Sequence, residues 1–100
     1  MGISTHVLDL ATGRPAAGVP VRLEWGGRVV AEGATGRDGR VQLVSAAVDP
    51  GTYRLIFDTA AYGNDFFPEV SVVFRVEDGS GHHHVPLLLS PHGYTTYRGS

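Results

Sequence analysis

Cysteine is missing from the chain, so no disulfide can reinforce a small core, and neither a thiolate nucleophile nor a Cys-based zinc site can form. Lysine is missing too: all eight basic residues are arginine, scattered from Arg14 to Arg98 without a run, and the formal net charge is -2. That distribution lacks the basic stripe of a nucleic-acid interface, so no nucleic-acid partner is expected. No apolar stretch is long enough for a membrane span. The start, MGISTHVLDL, has no basic segment, no apolar run of signal-peptide length and no small-residue cleavage site, and a cytoplasmic location is expected. Phosphate-loop and dinucleotide motifs are absent, and none of Ser4, Ser45, Ser71, Ser80, Ser90 or Ser100 lies in a G-x-S-x-G nucleophile elbow.

What is present describes one small globular domain over residues 1–100, since 42% of the residues are hydrophobic and only 18% charged. A domain of this size buries roughly 60 to 70% of the surface its unfolded chain exposes, so self-association would help it. The strongest periodicity is two, bounded by Gly, Pro, Asp or Thr clusters, as expected of strands. Candidate strands cover residues 3–9, 19–25, 28–33, 40–44, 52–59, 69–76, 82–89 and 94–98. Thr12-Gly13-Arg14-Pro15, Gly26-Gly27, Asp38-Gly39, Pro50-Gly51 and Asp78-Gly79 supply turn chemistry between them. About eight short strands with such turns predict an all-β, two-sheet sandwich. Residues 59–64 can hold at most a stub of helix, because Gly63-Asn64 would stop it.

Strand parity narrows the chemistry. Residues two apart share a face, so His6 and Leu8 look one way while Val7 and Asp9 look the other. Likewise His82, His84, Pro86 and Leu88 share a face opposite His83, Val85, Leu87 and Leu89. Two imidazoles at i and i+2 could share an ion, but no nearby carboxylate or cysteine completes a ligand set, and no metal is expected. Arg40 taken alone reads as an exposed cation after the Asp38-Gly39 turn. The end of the chain, Tyr94-Thr95-Thr96-Tyr97-Arg98-Gly99-Ser100, is rich in aromatics and hydroxyls where termini are commonly polar and frayed, which suggests that something holds it.

Three segments together carry a resemblance: Ser4-Thr5-His6-Val7-Leu8-Asp9, then His82-His83-His84-Val85-Pro86-Leu87-Leu88-Leu89-Ser90-Pro91, then Tyr97-Arg98-Gly99-Ser100. With Gly13-Arg14-Pro15-Ala16, Gly18-Val19-Pro20-Val21, Asp38-Gly39-Arg40 and Phe66-Phe67-Pro68-Glu69 between them, the chain closely resembles the transthyretin-like 5-hydroxyisourate hydrolase family over essentially its whole length. The terminal Y-R-G-S resembles the mark of the hydrolases as against the thyroid-hormone carrier transthyretin. One departure lies at residues 58–67, which look shortened relative to the family, so its short helix is expected to be reduced or lost.

The resemblance implies a transthyretin-like sandwich in a homotetramer, a dimer of dimers with active sites in the channel between dimers. It implies hydrolysis of 5-hydroxyisourate to 2-oxo-4-hydroxy-4-carboxy-5-ureidoimidazoline in urate catabolism, without a cofactor. His6, Arg40 and His84 match the family's catalytic positions, and Tyr97 and Ser100 match its C-terminal contribution to the substrate pocket; His82, His83 and His92 match none. Either His6 or His84 could be the general base toward water, with Arg40 stabilising the charge that develops. The alternative is a small-ligand carrier, which predicts an apolar or neutral lining, because three ionisable groups around a buried ligand cost desolvation energy unless function needs them.

Overall fold

The computed structural model describes residues 1–100. In chain order the elements are β1 (Gly2–Asp9), β2 (Arg14–Pro15), β3 (Pro20–Trp25), β4 (Arg28–Ala34), β5 (Arg40–Val44), β6 (Gly51–Phe57), α1 (Thr59–Tyr62), β7 (Val70–Val76), β8 (His82–His84), β9 (Leu87–Ser90) and β10 (Gly93–Thr96). They form two sheets, one of six strands around β1 and one of four in the order β4-β3-β6-β7, which is the expected transthyretin-like sandwich.

Alternation builds the core. Ile3, Thr5 and Val7 of β1 turn inward, as do Val21 and Leu23 of β3, Leu55 and Phe57 of β6, and Val85, Leu87 and Leu89 near the end of the chain. Each fully buried aliphatic or aromatic side chain contributes about 1.5–3 kcal/mol relative to exposure. The opposite parity, Ser4, His6 and Leu8, lies half-buried on the outer face of the six-stranded sheet. No helix is long and apolar enough to cross a membrane.

Most strand ends differ by one or two residues from those read from periodicity, and three differences stand out. The 82–89 run is two strands, β8 and β9, with a break at Val85-Pro86. Proline has no N–H for the ladder. Both pieces still pair parallel to β1 in one register, Ser4 opposite His84 and Val7 opposite Leu87, and Thr5 bridges the gap by donating its hydroxyl to the Val85 carbonyl at 2.6 Å. The second difference is at Thr12-Gly13-Arg14-Pro15, where the turn ends after Gly13 and Arg14–Pro15 folds back to pair with Asp9 and Leu8. The third is at the end of the chain, where β10 starts at Gly93 and stops at Thr96.

The expected stub of helix is α1, one turn long. Asp58 caps it by accepting from the Ala61 N–H at 3.1 Å, and Gly63 ends it in the left-handed conformation at φ 111°.

The Thr5 hydroxyl is buried and joins the two halves of the broken strand. Thr5→Val keeps the shape but leaves that acceptor without its partner, and is expected to destabilise the protein by about 1–3 kcal/mol in urea denaturation.

Candidate active site

Three strands, β1, β5 and β8, bring the polar residues of the outer face together. Antiparallel pairing of β1 with β5 sets His6 opposite Arg40 and Ser4 opposite Gln42. Parallel pairing with β8 sets Ser4 opposite His84. Directly opposed residues project from the same face, so Arg40, His6, Ser4 and His84 are presented together.

The turn before β5 is built for this register. Asp38 accepts from the Arg40 N–H at 3.0 Å, and Gly39, at φ +77°, accepts at its carbonyl from the Val7 N–H at 2.8 Å. A Cβ on Gly39 would stand 2.4 Å from the Val7 carbonyl oxygen and 3.2 Å from the His6 ring, so only glycine lets the turn lie against β1 here.

Beyond β10 the chain returns to the same place. Gly99 donates its N–H to the His84 carbonyl at 2.8 Å, closing a bridge between the C-terminal segment and β8. A Cβ on Gly99 would lie 2.5 Å from Cδ2 of His84, so the C-terminal backbone packs directly on the edge of that imidazole. The terminal segment is therefore held, as its composition suggests.

These contacts enclose a shallow pocket of about 260 Å³, lined by Ser4, Arg40, Gln42, His82, His84 and Ser100 among others. Of the five expected site residues, Arg40, His84 and Ser100 meet in it. His6 stands beside it, in register with Arg40, with its Nε2 buried and without a hydrogen-bond partner. Tyr97 is instead on a neighbouring hollow of about 340 Å³, shared with His84, Val85, Thr96 and Arg98.

Sequence reasoning passed over Ser4, His82 and Gly99. Ser4 Oγ is 2.8 Å from His84 Nδ1 and 3.2 Å from His82 Nε2. The rings of His82 and His84 stack with centroids 6.2 Å apart and planes at 17°. The parity that paired these histidines was the available signal; that Ser4 lies between them follows only from the register of β1 and β8. His83, on the other parity, is buried in the core.

Burial pushes the His84 imidazole below its ordinary value of 6.5, and the charges of Arg40, His82 and His6 press in the same direction against a weaker opposing hydrogen bond to the Ser4 backbone. His84 is therefore neutral at neutral pH and able to accept a proton.

A wider hollow, about 740 Å³, opens on another side and is lined by Asp9, Tyr62, Asn64, Ser90 and others. Its best-placed groups are already engaged: Tyr62 donates to Asp9 at 2.7 Å, and Asn64 donates to the Ser90 carbonyl at 3.0 Å. The hydrogen bond to Asp9 raises the Tyr62 phenol. For Asp9, hydrogen bonds from Tyr62, Ala11 and Thr12 together outweigh burial and lower the carboxyl. Neither group is poised for proton transfer near neutrality. Size alone does not mark the reactive site.

Residues 3–99 match the model of the HIUase/Transthyretin family. The chain is 45% identical over 109 residues to the 5-hydroxyisourate hydrolase of Salmonella typhimurium, covering 98% of this chain and 80% of that one. It is 48% identical over 120 residues to the uric acid degradation bifunctional protein TTL of Arabidopsis thaliana, covering 98% of this chain but only 37% of the plant protein. In three dimensions it resembles the 5-hydroxyisourate hydrolase of Klebsiella pneumoniae with a TM-score of 0.91 at 36% identity, over 100% of both chains.

Titration of the histidine ring protons by NMR should give His84 a midpoint below 6.5, and Arg40→Gln should move that midpoint upward by removing a neighbouring positive charge. Gly99→Ala should shift the His84 ring resonances while leaving those of the core methyls in place, because the added Cβ can be relieved only by moving the ring or the C-terminal segment.

Proposed function

Because the chain belongs to the HIUase/Transthyretin family, we propose that it hydrolyses 5-hydroxyisourate, opening the six-membered ring to 2-oxo-4-hydroxy-4-carboxy-5-ureidoimidazoline in urate catabolism. The observation that carries this reading is the meeting of Arg40, His84 and Ser100 in one pocket with His6 alongside, in a chain whose hydrolase relatives match it over nearly its whole length. A carrier of apolar ligands has no use for that arrangement, since grouping ionisable side chains around a buried ligand costs desolvation energy.

Water adds to a ring carbonyl carbon while an imidazole takes its proton, and the ring C–N bond then breaks as the nitrogen is protonated. His6 and His84 are the catalytic pair for these transfers. Burial holds the His84 imidazole below its ordinary value, so it can accept a proton from water, and Nε2 of His6, buried and without a partner within the chain, has a hydrogen-bonding position still unused. Arg40 holds a fixed positive charge against the oxygen that becomes negative in the transition state. Ser100 hydrogen-bonds the polar edge of the ring, and Tyr97 closes the neighbouring side. Water is the nucleophile and no cofactor is used.

Residues 1–100 act as one hydrolase domain, placed in the cytoplasm. The working form is a homotetramer, a dimer of dimers in which the outer face of the six-stranded sheet lines the channel between dimers. This is supported by the half-buried and exposed polar side chains of that face, Ser4, His6, Arg40 and His84, which a second copy would shield from bulk water.

The test follows ultraviolet absorbance as urate oxidase supplies fresh 5-hydroxyisourate, against spontaneous decay. His6→Ala and His84→Ala should each lose about 10²- to 10⁴-fold in rate while remaining tetrameric by light scattering. Deleting residues 97–100 should also impair turnover. In the parent, kcat/KM should fall as pH is lowered from neutrality, with a midpoint below 6.5, as His84 gains its proton. Histidine variants that clear substrate as fast as the parent would remove these residues from the mechanism.

A further inference from the structure

The outer face carries one more histidine than the proposed chemistry uses. His82 stacks on His84, and both rings reach the hydroxyl of Ser4. The other ring nitrogen of His82, Nδ1, is 3.1 Å from the carbonyl oxygen of Met1. Donor and acceptor bookkeeping along this chain has only one solution when His82 is neutral.

A carbonyl oxygen can only accept, so Nδ1 of His82 must carry a hydrogen and donate it to Met1. Nε2 of neutral His82 then bears a lone pair, so at 3.2 Å it accepts the hydroxyl hydrogen of Ser4. Ser4 has no second hydrogen to give. Its contact with Nδ1 of His84, at 2.8 Å, must therefore run the other way, with His84 donating from Nδ1 and Ser4 Oγ accepting. What remains on neutral His84 is a lone pair on Nε2, on the same side of the ring as Cδ2, where the Gly99 backbone packs.

We propose that Ser4 and His82 form a positioning relay, anchored on the Met1 carbonyl, that fixes His84 as the Nδ1–H tautomer and so makes Nε2 of His84 the atom that takes the proton from water. This deepens the proposed hydrolase reading and rests on it for the identity of the reaction. Ser4 and His82 act through His84 and are not themselves catalytic residues. The relay distinguishes the two site histidines: His84 is a base of fixed tautomer, whereas the buried Nε2 of His6 has no partner within the chain and belongs to no such relay.

The test is nitrogen-15 NMR of the full-length, histidine-labelled protein at a pH where His84 is neutral, combined with steady-state kinetics. In the parent, Nδ1 of His84 should show the shift of a protonated ring nitrogen and Nε2 that of an unprotonated one, with His82 in the same tautomer. Ser4→Ala should relax His84 to a mixture of tautomers and lower kcat about 10- to 100-fold with little change in KM, less than the loss expected on removing the base itself. Ser4→Thr keeps one hydroxyl and should restore both the tautomer and kcat. A proton found on Nε2 of His84 in the parent overturns the relay, and so does a folded Ser4→Ala protein with parental tautomer and kcat. The parent measurement stands even if the variant fails to fold. A parent with the expected tautomer but no turnover of 5-hydroxyisourate would instead overturn the reaction and leave the relay intact.

Discussion

Everything at the candidate site depends on the pairing of one strand. β1 is flanked by β5 and β8 along its first half and by β2 and β9 along its second, so four partners are aligned against a single backbone. The inward parity of β1 supplies Ile3, Thr5 and Val7 to the core, and the outward parity supplies Ser4, His6 and Leu8 to the site face. Core packing and site geometry are thus one constraint. The energy that buries Ile3 and Val7 also sets where Ser4 and His6 stand relative to Arg40 and His84.

Around that strand the polar groups are held by backbone more than by one another. Arg40 is placed by the Asp38-Gly39 turn, His84 by its ladder to Ser4 and by the bridge to Gly99, and Ser100 follows from the same bridge. Two glycines, Gly39 and Gly99, let main chain approach the two imidazoles more closely than any side chain would permit. Such support limits the reorganisation a reaction would demand, which is where preorganised sites draw most of their advantage.

Much of this was legible in the sequence, for a specific reason. Period-two alternation is strong in 3–9 and 82–89, so the faces of His6, His83 and His84 could be assigned before any pairing was known, and the buried position of His83 agrees. Gly63-Asn64 likewise signals the stop that limits α1 to a single turn, whereas the Asp58 cap at its start emerges only from the structure. What escaped was what only register decides. Nothing local to Ser4 says that it will lie between two histidines nearly eighty residues away. The two-residue β2 is too short to show a period, and the break at Pro86 was hidden because the apolar pattern continues through it. Tyr97 and Ser100, adjacent in a resemblance drawn from sequence, fall into separate hollows because the chain leaves β10 after Thr96.

The dual role of β1 also sets how length can vary along the chain. A one-residue insertion or deletion within Gly2–Asp9 would exchange the two faces of the strand from that point, burying a histidine and expelling a core valine in the same step. Around α1 the situation is reversed. The segment is capped at both ends, and neither its helical turn nor its caps supply a residue to the pocket, so residues could be lost there without moving Ser4, Arg40 or His84. Changes in length can accumulate at the one helical turn, while β1 admits substitutions alone.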